Sequence, residues 1–344
     1  MQKKIEVKIP LLDELGNISE PGWATEPNWL YRRNDIRANK LRIKEWDYYL
    51  VYNKDFGVAL TIADNGYMGM ISASILNFKT RREITKSVMT FMPKGNFNMP
   101  ESSQKGDVSY KSEKVEMRFL NDGNIRKLIF NFPDFEKGNA LTGEITLTKE
   151  PKESMVIATP FKKKKHFYYN QKIVGFTADG SVQIGAKKVE FLPNDTVAIL
   201  DWGRGVWTYN NTWYWGAAAG KVNGADFGFN IGYGFGDTSN ATENVVFYNG
   251  IAHKLNNVKF NIPIHADTQK EDYMARWQFT SDDGRFEMDF EPILNRSSCT
   301  SAVIVKSDQN QVFGKFTGKV ILDDDSVIQI KDFLGFAEKV KNKW

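Results

Sequence analysis

The chain of 344 residues carries 46 basic and 42 acidic side chains, so its formal net charge is +4. This small imbalance gives no indication of a nucleic-acid partner, and we expect none. The single cysteine, Cys299, excludes an internal disulfide and is expected to be a buried, inert thiol. No apolar run approaches the ~18 residues of a membrane span, so we expect no stable membrane insertion and a cytoplasmic location.

The composition and the turn residues favour an all-β fold. Aromatic residues make up 13% of the chain, and they prefer pleated, half-buried surfaces. Three runs of β-forming residues, 41–52, 56–63 and 67–78, are separated by Asn53-Lys54-Asp55 and Asp64-Asn65-Gly66. Such spacers are turn chemistry, so this part of the chain is predicted to be an antiparallel meander.

Short predicted strands recur in two series, over about residues 40–158 and 165–335, which fits two β-barrels or sandwiches in tandem. We therefore predict an N-terminal domain of residues 1–160 with an extended lead-in, and a C-terminal domain of residues 161–344. The second series is expected to include a turn at Ala178-Asp179-Gly180. The termini are expected to be short helical or extended segments.

Two stretches are predicted to lie outside the strands. Residues 93–106 contain glycine and proline and are expected to form an exposed excursion, whose role the sequence does not give. Residues 162–165 are four consecutive lysines, which are typical of a solvated loop.

Residues 201–250 concentrate the unusual side chains, including Trp202, Trp207, Trp213 and Trp215. Within residues 227–236, aromatic or aliphatic residues alternate with Gly or Asn, which predicts a strand. One face of that strand has Asn230 as its only side chain other than glycine. Something bulky is expected to pack against this face, either a tryptophan of the neighbouring strand or a ligand.

Several classes of site are excluded by their missing motifs. Gly203-Arg204-Gly205 lacks the third glycine of a dinucleotide fingerprint, since Thr208 stands in its place, and no phosphate loop is present. No Gly-X-Ser-X-Gly elbow occurs. With three histidines and one cysteine, a metal site is not predicted, and no cofactor is expected.

The remaining candidates for catalysis are charged residues among aromatic ones. A carboxyl group in a desolvated aromatic pocket has a raised pKa and becomes a usable general acid, which is the functional interpretation of Asp201 and Glu243. Arg204 would set the orientation and charge of that carboxyl group. The competing structural interpretation is an Asp201–Arg204 ion pair in a tight turn, with Glu243 bonded to backbone at a strand start.

A larger set is predicted to contact a ligand, although core packing is the competing interpretation for each tryptophan. The set consists of Trp202, Trp207, Trp213, Trp215, Asn230, Tyr233, His253 and Arg285.

Several motifs in the same order resemble the bacterial domain-of-unknown-function family 2804 over essentially the whole chain. That family has no established activity that a resemblance would imply for this chain. The motifs are Leu12-Asp13-Glu14-Leu15-Gly16, Pro21-Gly22-Trp23-Ala24, Lys44-Glu45-Trp46-Asp47-Tyr48-Tyr49, Asp201-Trp202-Gly203-Arg204-Gly205-Val206-Trp207, Thr242-Glu243-Asn244 and Ser281-Asp282-Asp283-Gly284-Arg285.

Trp213-Tyr214-Trp215-Gly216 is also similar to the Asp-His-X-Trp-Gly signature of tandem lipocalin-like proteins, which include carotenoid 1,2-hydratases; tocopherol cyclases share their fold. This resemblance implies two antiparallel lipocalin-like (calycin) β-barrels and a hydrophobic ligand at or near their interface. Thr212 and Trp213 replace the Asp and His of the signature, so the acid is missing there. Asp201, on an adjacent strand, is a hypothetical substitute.

The function expected from these observations is binding of a hydrophobic or amphipathic small molecule. If the chain is an enzyme, a cofactor-independent hydratase, cyclase or isomerase is expected, with a carboxylic acid in an aromatic pocket. Two alternatives stay open at this point: a non-catalytic carrier or sensor of a lipid-like ligand, and a carbohydrate-processing enzyme that uses Asp201 and Glu243 as paired carboxylates. The oligomeric state is not predicted.

Overall fold

The computed structural model describes residues 2–302 and 305–343. Over these residues the chain forms 24 β-strands and two short 3-10 helices, Arg33–Asp35 and Lys40–Arg42. Within the same ranges, no helix has the length and apolar character needed to cross a membrane. Contacts divide the chain into two compact units, an N-terminal unit of Lys3–Trp207 and a C-terminal unit that begins at Thr208 and includes Gln2.

The N-terminal unit contains fifteen strands among the described residues. They are β1 (Ile9–Pro10), β2 (Gly22–Ala24), β3 (Trp29–Leu30), β4 (Ile43–Tyr52), β5 (Phe56–Asp64), β6 (Met68–Asn77), β7 (Arg82–Phe91), β8 (Val108–Lys111), β9 (Glu116–Asn121), β10 (Arg126–Glu136), β11 (Asn139–Thr148), β12 (Met155–Pro160), β13 (Phe167–Ile184), β14 (Lys187–Phe191) and β15 (Val197–Val206).

Thirteen of these strands form one curled sheet in the order β7-β6-β5-β4-β15-β13-β11-β10-β9-β8, with β12 and β14 paired to β13 and β2 paired to β12. The pairings in this sheet are antiparallel. β1 and β3 pair in parallel outside it. The predicted meander is confirmed, since β4, β5 and β6 pair consecutively across the two expected turns.

The division between the units lies at Trp207 and Thr208, later in the chain than the predicted boundary at residue 160. The reason is long-range pairing, because β13 lies between β11 and β15, and β15 in turn pairs with β4. Strands on both sides of residue 160 therefore belong to one sheet.

The turn predicted at Ala178-Asp179-Gly180 was wrong, because β13 runs through these residues without a break. Gly180 has a φ of +150°, and a Cβ atom there would lie 2.2 Å from the carbonyl oxygen of Glu144. This glycine permits the close approach of β11, which is a different use of glycine from a turn.

The C-terminal unit contains nine strands among the described residues. They are β16 (Asn210–Val222), β17 (Ala225–Tyr233), β18 (Val245–Tyr248), β19 (Ile251–Lys254), β20 (Val258–Asn261), β21 (Trp277–Ser281), β22 (Phe286–Ala302), β23 (Val305–Ile321) and β24 (Val327–Lys343).

These nine strands form a second curled antiparallel sheet in the order β19-β18-β17-β16-β24-β23-β22-β21-β20. One face packs a core rich in phenylalanine, including Phe229, Phe279, Phe290 and Phe316. The carboxyl-terminal segment was expected to be either helical or extended, and it is extended as part of β24. Cys299 lies exposed on β22, so the expectation of a buried thiol was wrong.

Gly203, on β15, lies against a group of three aromatic rings that leaves no room for a side chain at this position. A Cβ atom at Gly203 would lie 1.9 Å from Cζ2 of Trp46. The Trp46 ring has little freedom to move away, since it stacks on Tyr168 and meets Trp207 edge to face, with ring centroids 5.2 Å apart in the second pair.

We therefore expect Gly203→Ala to lower the free energy of unfolding by about 1–3 kcal/mol, because the added methyl group overpacks a fixed ring. Urea denaturation measures this loss. In a Trp46→Leu background the same substitution is expected to cost less, and an equal loss in both backgrounds contradicts the explanation.

Candidate functional site

Arg204 extends into the interior of the N-terminal sheet from β15. Residues two apart on a strand share a face, and Leu200, Trp202 and Val206 of β15 all belong to the buried core of this unit. Arg204 therefore lies on the same inner face and is fully buried. Its guanidinium carbon lies 3.9 Å from the centroid of the Trp202 ring, a cation–π contact.

The Arg204 guanidinium is surrounded by acceptors. Nη1 donates to the carbonyl oxygens of Trp46 and Gly203, at 2.9 and 2.8 Å, and to Oδ1 of Asp47 at 3.1 Å. Nε and Nη2 both donate to the carbonyl oxygen of Pro100, at 3.3 and 2.9 Å. A buried cation is tolerated when its donors are satisfied in this way.

Two buried carboxyl groups of β4, a tyrosine and a second arginine complete what we call the Arg204 cluster: Arg204, Glu45, Asp47, Tyr31 and Arg33. Oε1 of Glu45 accepts from the Tyr31 hydroxyl at 2.7 Å, and Arg33 forms an ion pair with Oε2. Burial raises the pKa of the Glu45 and Asp47 carboxyls above their usual range, and the charge of Arg204 offsets only part of this effect. Burial also raises the pKa of Tyr31.

Asp47 also lines a cavity of about 10 Å³, which is room for about one water molecule. Tyr49, Arg126 and Trp202 form part of its wall, and residues of the 93–106 segment form another part. The Trp202 indole Nε1 is buried and makes no hydrogen bond to any residue that the structure describes. The cavity wall thus combines a buried acid, Asp47, with a cation, Arg126, and with aromatic side chains.

Asp201 lies on the opposite face of β15 from Arg204, so the two residues do not form the ion pair that the structural interpretation predicted. Oδ1 of Asp201 accepts from Asn170 Nδ2 at 2.6 Å, and Oδ2 lies 2.8 Å from Nζ of Lys172. These partners come from β13, which pairs directly with β15. Both carboxylate oxygens of Asp201 are therefore already engaged.

Trp207 follows β15 and is buried next to Trp46. Its carbonyl oxygen accepts from Nε and Nη2 of Arg42, at 3.2 and 3.0 Å. Through Trp46 and Arg42, Trp207 contacts other residues of the N-terminal unit.

In the C-terminal unit, Trp215, Asn230 and Glu243 form a hydrogen-bonded chain. Trp215 Nε1 donates to Oδ1 of Asn230 at 2.8 Å, and Asn230 Nδ2 donates to the Glu243 carbonyl oxygen at 2.8 Å. Trp215 lies directly opposite Gly232 in the β16–β17 register, and a Cβ atom at Gly232 would lie 2.6 Å from Oε1 of Glu243. Trp215 of the neighbouring strand, one of the two expected occupants, thus meets the glycine-rich face of β17 at Asn230, while the Glu243 carboxyl group fills the space over Gly232.

Trp213 shares a face of β16 with Trp215, as the spacing predicted. Its Nε1 donates to Oε1 of Glu338 at 3.0 Å, and its ring meets Phe235 edge to face at 5.3 Å. Tyr233 lies on the other face of β17 from Asn230 and stacks on Tyr214 at 4.3 Å. The sheet therefore separates Tyr233 from the two tryptophans.

His253 and Arg285 lie elsewhere in the C-terminal unit and meet at Asp323. His253 Nδ1 accepts from the Asp323 backbone N–H at 3.2 Å, and Arg285 Nη2 donates to Oδ1 of Asp323 at 2.6 Å. Arg285 also donates to the carbonyl oxygens of Lys254 and Ile321, at 3.0 and 2.9 Å. These bonds tie the ends of β19 and β23 together.

The structure thus groups the predicted residues differently from the sequence. Arg204 and Trp202 lie together inside the N-terminal unit, whereas Trp213, Trp215 and Asn230 lie on one face of the C-terminal sheet. Asp47 and Glu45 were missed as candidates for catalysis. The signal that could have found them is a pair of carboxyl groups two residues apart in the strand Lys44-Glu45-Trp46-Asp47, where both must share a face.

Trp215→Phe is expected to lower the free energy of unfolding by about 1–3 kcal/mol, because it leaves the buried Asn230 Oδ1 without its donor. Trp213→Phe is the matched control on the same strand, and its loss is expected to be smaller because the Trp213 ring is half-buried. Urea denaturation of both variants measures the difference, and equal losses contradict the importance of the Asn230 bond.

The solved structures that resemble this chain share its fold at low sequence identity. CghA, crystallised with Sch210972, has a TM-score of 0.57 at 10% identity, covering 100% of this chain and 97% of its own. A protein described as AttH from Nitrosomonas europaea has a TM-score of 0.54 at 11% identity, covering 90% and 94%. Because the likeness covers nearly the whole chain, it confirms the predicted all-β fold of two tandem lipocalin-like sheets.

A search of curated proteins finds no match. The sequence profile of the family described as "Domain of unknown function (DUF2804)" matches residues 2–344, so the chain belongs to that family, as its motifs predicted.

Proposed function

We propose that this chain binds a hydrophobic or amphipathic small molecule inside its N-terminal unit and transfers a proton to it from Asp47. The reaction class is that of a cofactor-independent hydratase, cyclase or isomerase. The observation that carries this proposal is the position of Asp47, which bonds to Arg204 and lines a cavity next to Trp202. The cavity has room for about one water molecule, so it must widen to admit the ligand.

The surroundings of Asp47 suit a general acid. Burial favours the neutral, proton-bearing form of its carboxyl group, and Arg204 stabilises the carboxylate that is left after proton transfer. The aromatic wall, which includes Tyr49 and Trp202, would contact the apolar body of the ligand. CghA, which shares the fold of this chain, was crystallised with Sch210972.

The same assay tests the two carboxyl groups that the sequence singled out. Asp201 accepts bonds from Asn170 and Lys172, and Glu243 lies next to Asn230 in the C-terminal unit. Either group remains a proposed acid in its own unit, and each has a close isosteric substitution, Asp201→Asn or Glu243→Gln.

The wild-type protein is incubated in D2O with panels of terpenoids, sterols and unsaturated fatty acids. We expect it to catalyse the incorporation of deuterium at a carbon atom of one or more of these compounds. Asp47→Asn is expected to lower that rate by about 10²–10⁴-fold, the usual contribution of a general acid. Mass spectrometry of the recovered compounds measures the exchange. An undiminished rate in Asp47→Asn removes Asp47 from the role, and a loss in Asp201→Asn or Glu243→Gln assigns it there. Binding without exchange in wild type would indicate a carrier.

The rate is expected to fall as the pH rises through the pKa of Asp47, because the acid acts in its protonated form. That pKa lies above the ordinary value for aspartic acid, so the fall begins at a higher pH than for an exposed carboxyl group. A rate profile from about pH 4 to about pH 9 checks this. A rate that increases over the whole range would show that the essential group acts as a base.

A further inference from the structure

Residues 93–106 cross from β7 to β8 without forming a strand, and we call them the lid segment. The segment is only partly exposed, in contrast to the excursion that the sequence predicted, since Met99 and Ser103 are buried. Pro100, Ser102, Ser103 and Gly106 form one wall of the cavity that Asp47 lines. The segment therefore separates the Arg204 cluster from the outside of the unit.

Most of the hydrogen bonds that hold the lid segment to the rest of the unit involve a side chain, in contrast to the backbone pairing of the strands. Ser103 donates from Oγ to Oε1 of Gln171, and Asn121 Nδ2 donates to the Ser103 carbonyl oxygen at 2.9 Å. At its end, the Gly106 N–H donates to the Asn121 carbonyl oxygen at 2.9 Å. Segments held in this way open at a lower free energy than the paired strands around them.

At the start of the segment, the Lys94 N–H donates to the Gly66 carbonyl oxygen at 3.1 Å and the Gly95 N–H donates to Oδ2 of Asp64 at 2.6 Å. Oε1 of Glu101 accepts from the Arg33 N–H at 3.3 Å.

A further attachment is made through Arg204. Its Nε and Nη2 donate together to the single carbonyl oxygen of Pro100, at 3.3 and 2.9 Å. These are the donors by which arginine binds the oxygens of ligands elsewhere, and here both converge on one neutral carbonyl oxygen. The same carbonyl oxygen is thus held beside Asp47, which shares Arg204 Nη1 at 3.1 Å.

We infer that the lid segment opens to admit the substrate, and that the Pro100 carbonyl occupies the place of a carbonyl oxygen of that substrate. The ligand class is then an apolar molecule with a neutral carbonyl group, which Arg204 binds within reach of Asp47. This inference rests on the proposed function and specifies its substrate.

Charge favours a neutral carbonyl over a carboxylate. Arg204 already faces two acidic side chains, with Asp47 at 3.1 Å and Glu45 at 3.9 Å. A carboxylate ligand would compete with these two carboxyl groups for one guanidinium, and its charge would have to leave water, which is energetically costly for a buried ion. A neutral carbonyl replaces the Pro100 oxygen without changing the charge of the cluster.

The test uses 2-decanone as the probe and 1-decene as its control, since the control lacks an acceptor oxygen. Calorimetric titration is expected to show binding of 2-decanone and at least about tenfold weaker binding of 1-decene. Hydrogen exchange read by mass spectrometry is expected to accelerate several-fold over residues 95–106 on 2-decanone binding, and to stay unchanged in β15. Arg204→Lys is expected to weaken 2-decanone binding about tenfold, because the pair of convergent donors is lost.

A pair of serine variants tests the lid without altering the cluster. Ser103→Ala removes the bond from the lid segment to Gln171, so the open state becomes more populated and 2-decanone is expected to bind about three- to tenfold more tightly. Ser154→Ala is the matched control, because Gln171 Nε2 donates to Ser154 Oγ at 2.8 Å and Ser154 lies outside the segment. That control is expected to bind as wild type does.

The inference is overturned if wild type fails to bind 2-decanone, if 1-decene binds equally well, or if exchange in the lid segment does not change. It is also overturned if Ser103→Ala and Ser154→Ala bind alike. If deuterium incorporation persists in these cases, the proposed proton transfer is retained and only the lid inference is lost. If 2-decanone binds tightly but no compound incorporates deuterium, the proposed proton transfer is contradicted and the lid inference is retained.

Discussion

The N-terminal unit depends on the burial of one guanidinium. A charged group taken out of water costs several kcal/mol unless its donors find acceptors, and Arg204 is fully enclosed. Its acceptors come from its own strand, from β4 and from the segment between β7 and β8. The cation therefore holds together three parts of the chain that are far apart in sequence, and it places the carboxyl groups of Glu45 and Asp47 among apolar neighbours.

That arrangement makes a lipocalin-like interior polar around Arg204. Much of the inner face is aliphatic and aromatic, as in Leu200, Val206 and Tyr169, although Gln171 and Arg126 are also buried there. A core of this kind gains nothing in stability from two acids and an arginine, since apolar side chains of similar size often pack at least as well. A polar cluster in an apolar interior, next to a cavity, is more typical of a functional site than of a core.

Local patterns in the sequence were sufficient to predict the class of fold and much of the strand arrangement. The meander of β4 to β6 followed from runs of β-forming residues and two turns, and the glycine-rich face of β17 predicted a bulky neighbour, which is Trp215 at Asn230 together with Glu243 at Gly232. The division between the units could not be predicted, because it depends on β15 pairing with β4 across some 150 residues of chain. The same pairing decides that Arg204 and Asp47 meet while Asp201 faces Lys172, and no local pattern contains it.

The Trp215–Asn230–Glu243 chain also fixes the orientation of the Asn230 side-chain amide. An indole nitrogen only donates, so it fixes the Asn230 amide with its oxygen towards the ring and its nitrogen towards Glu243. The amide cannot turn over without placing two donors face to face at one end and two acceptors at the other. Aspartate has almost the same shape as asparagine but would present an acceptor to the Glu243 carbonyl, so the position discriminates by the polarity of its hydrogen bonds and hardly at all by size.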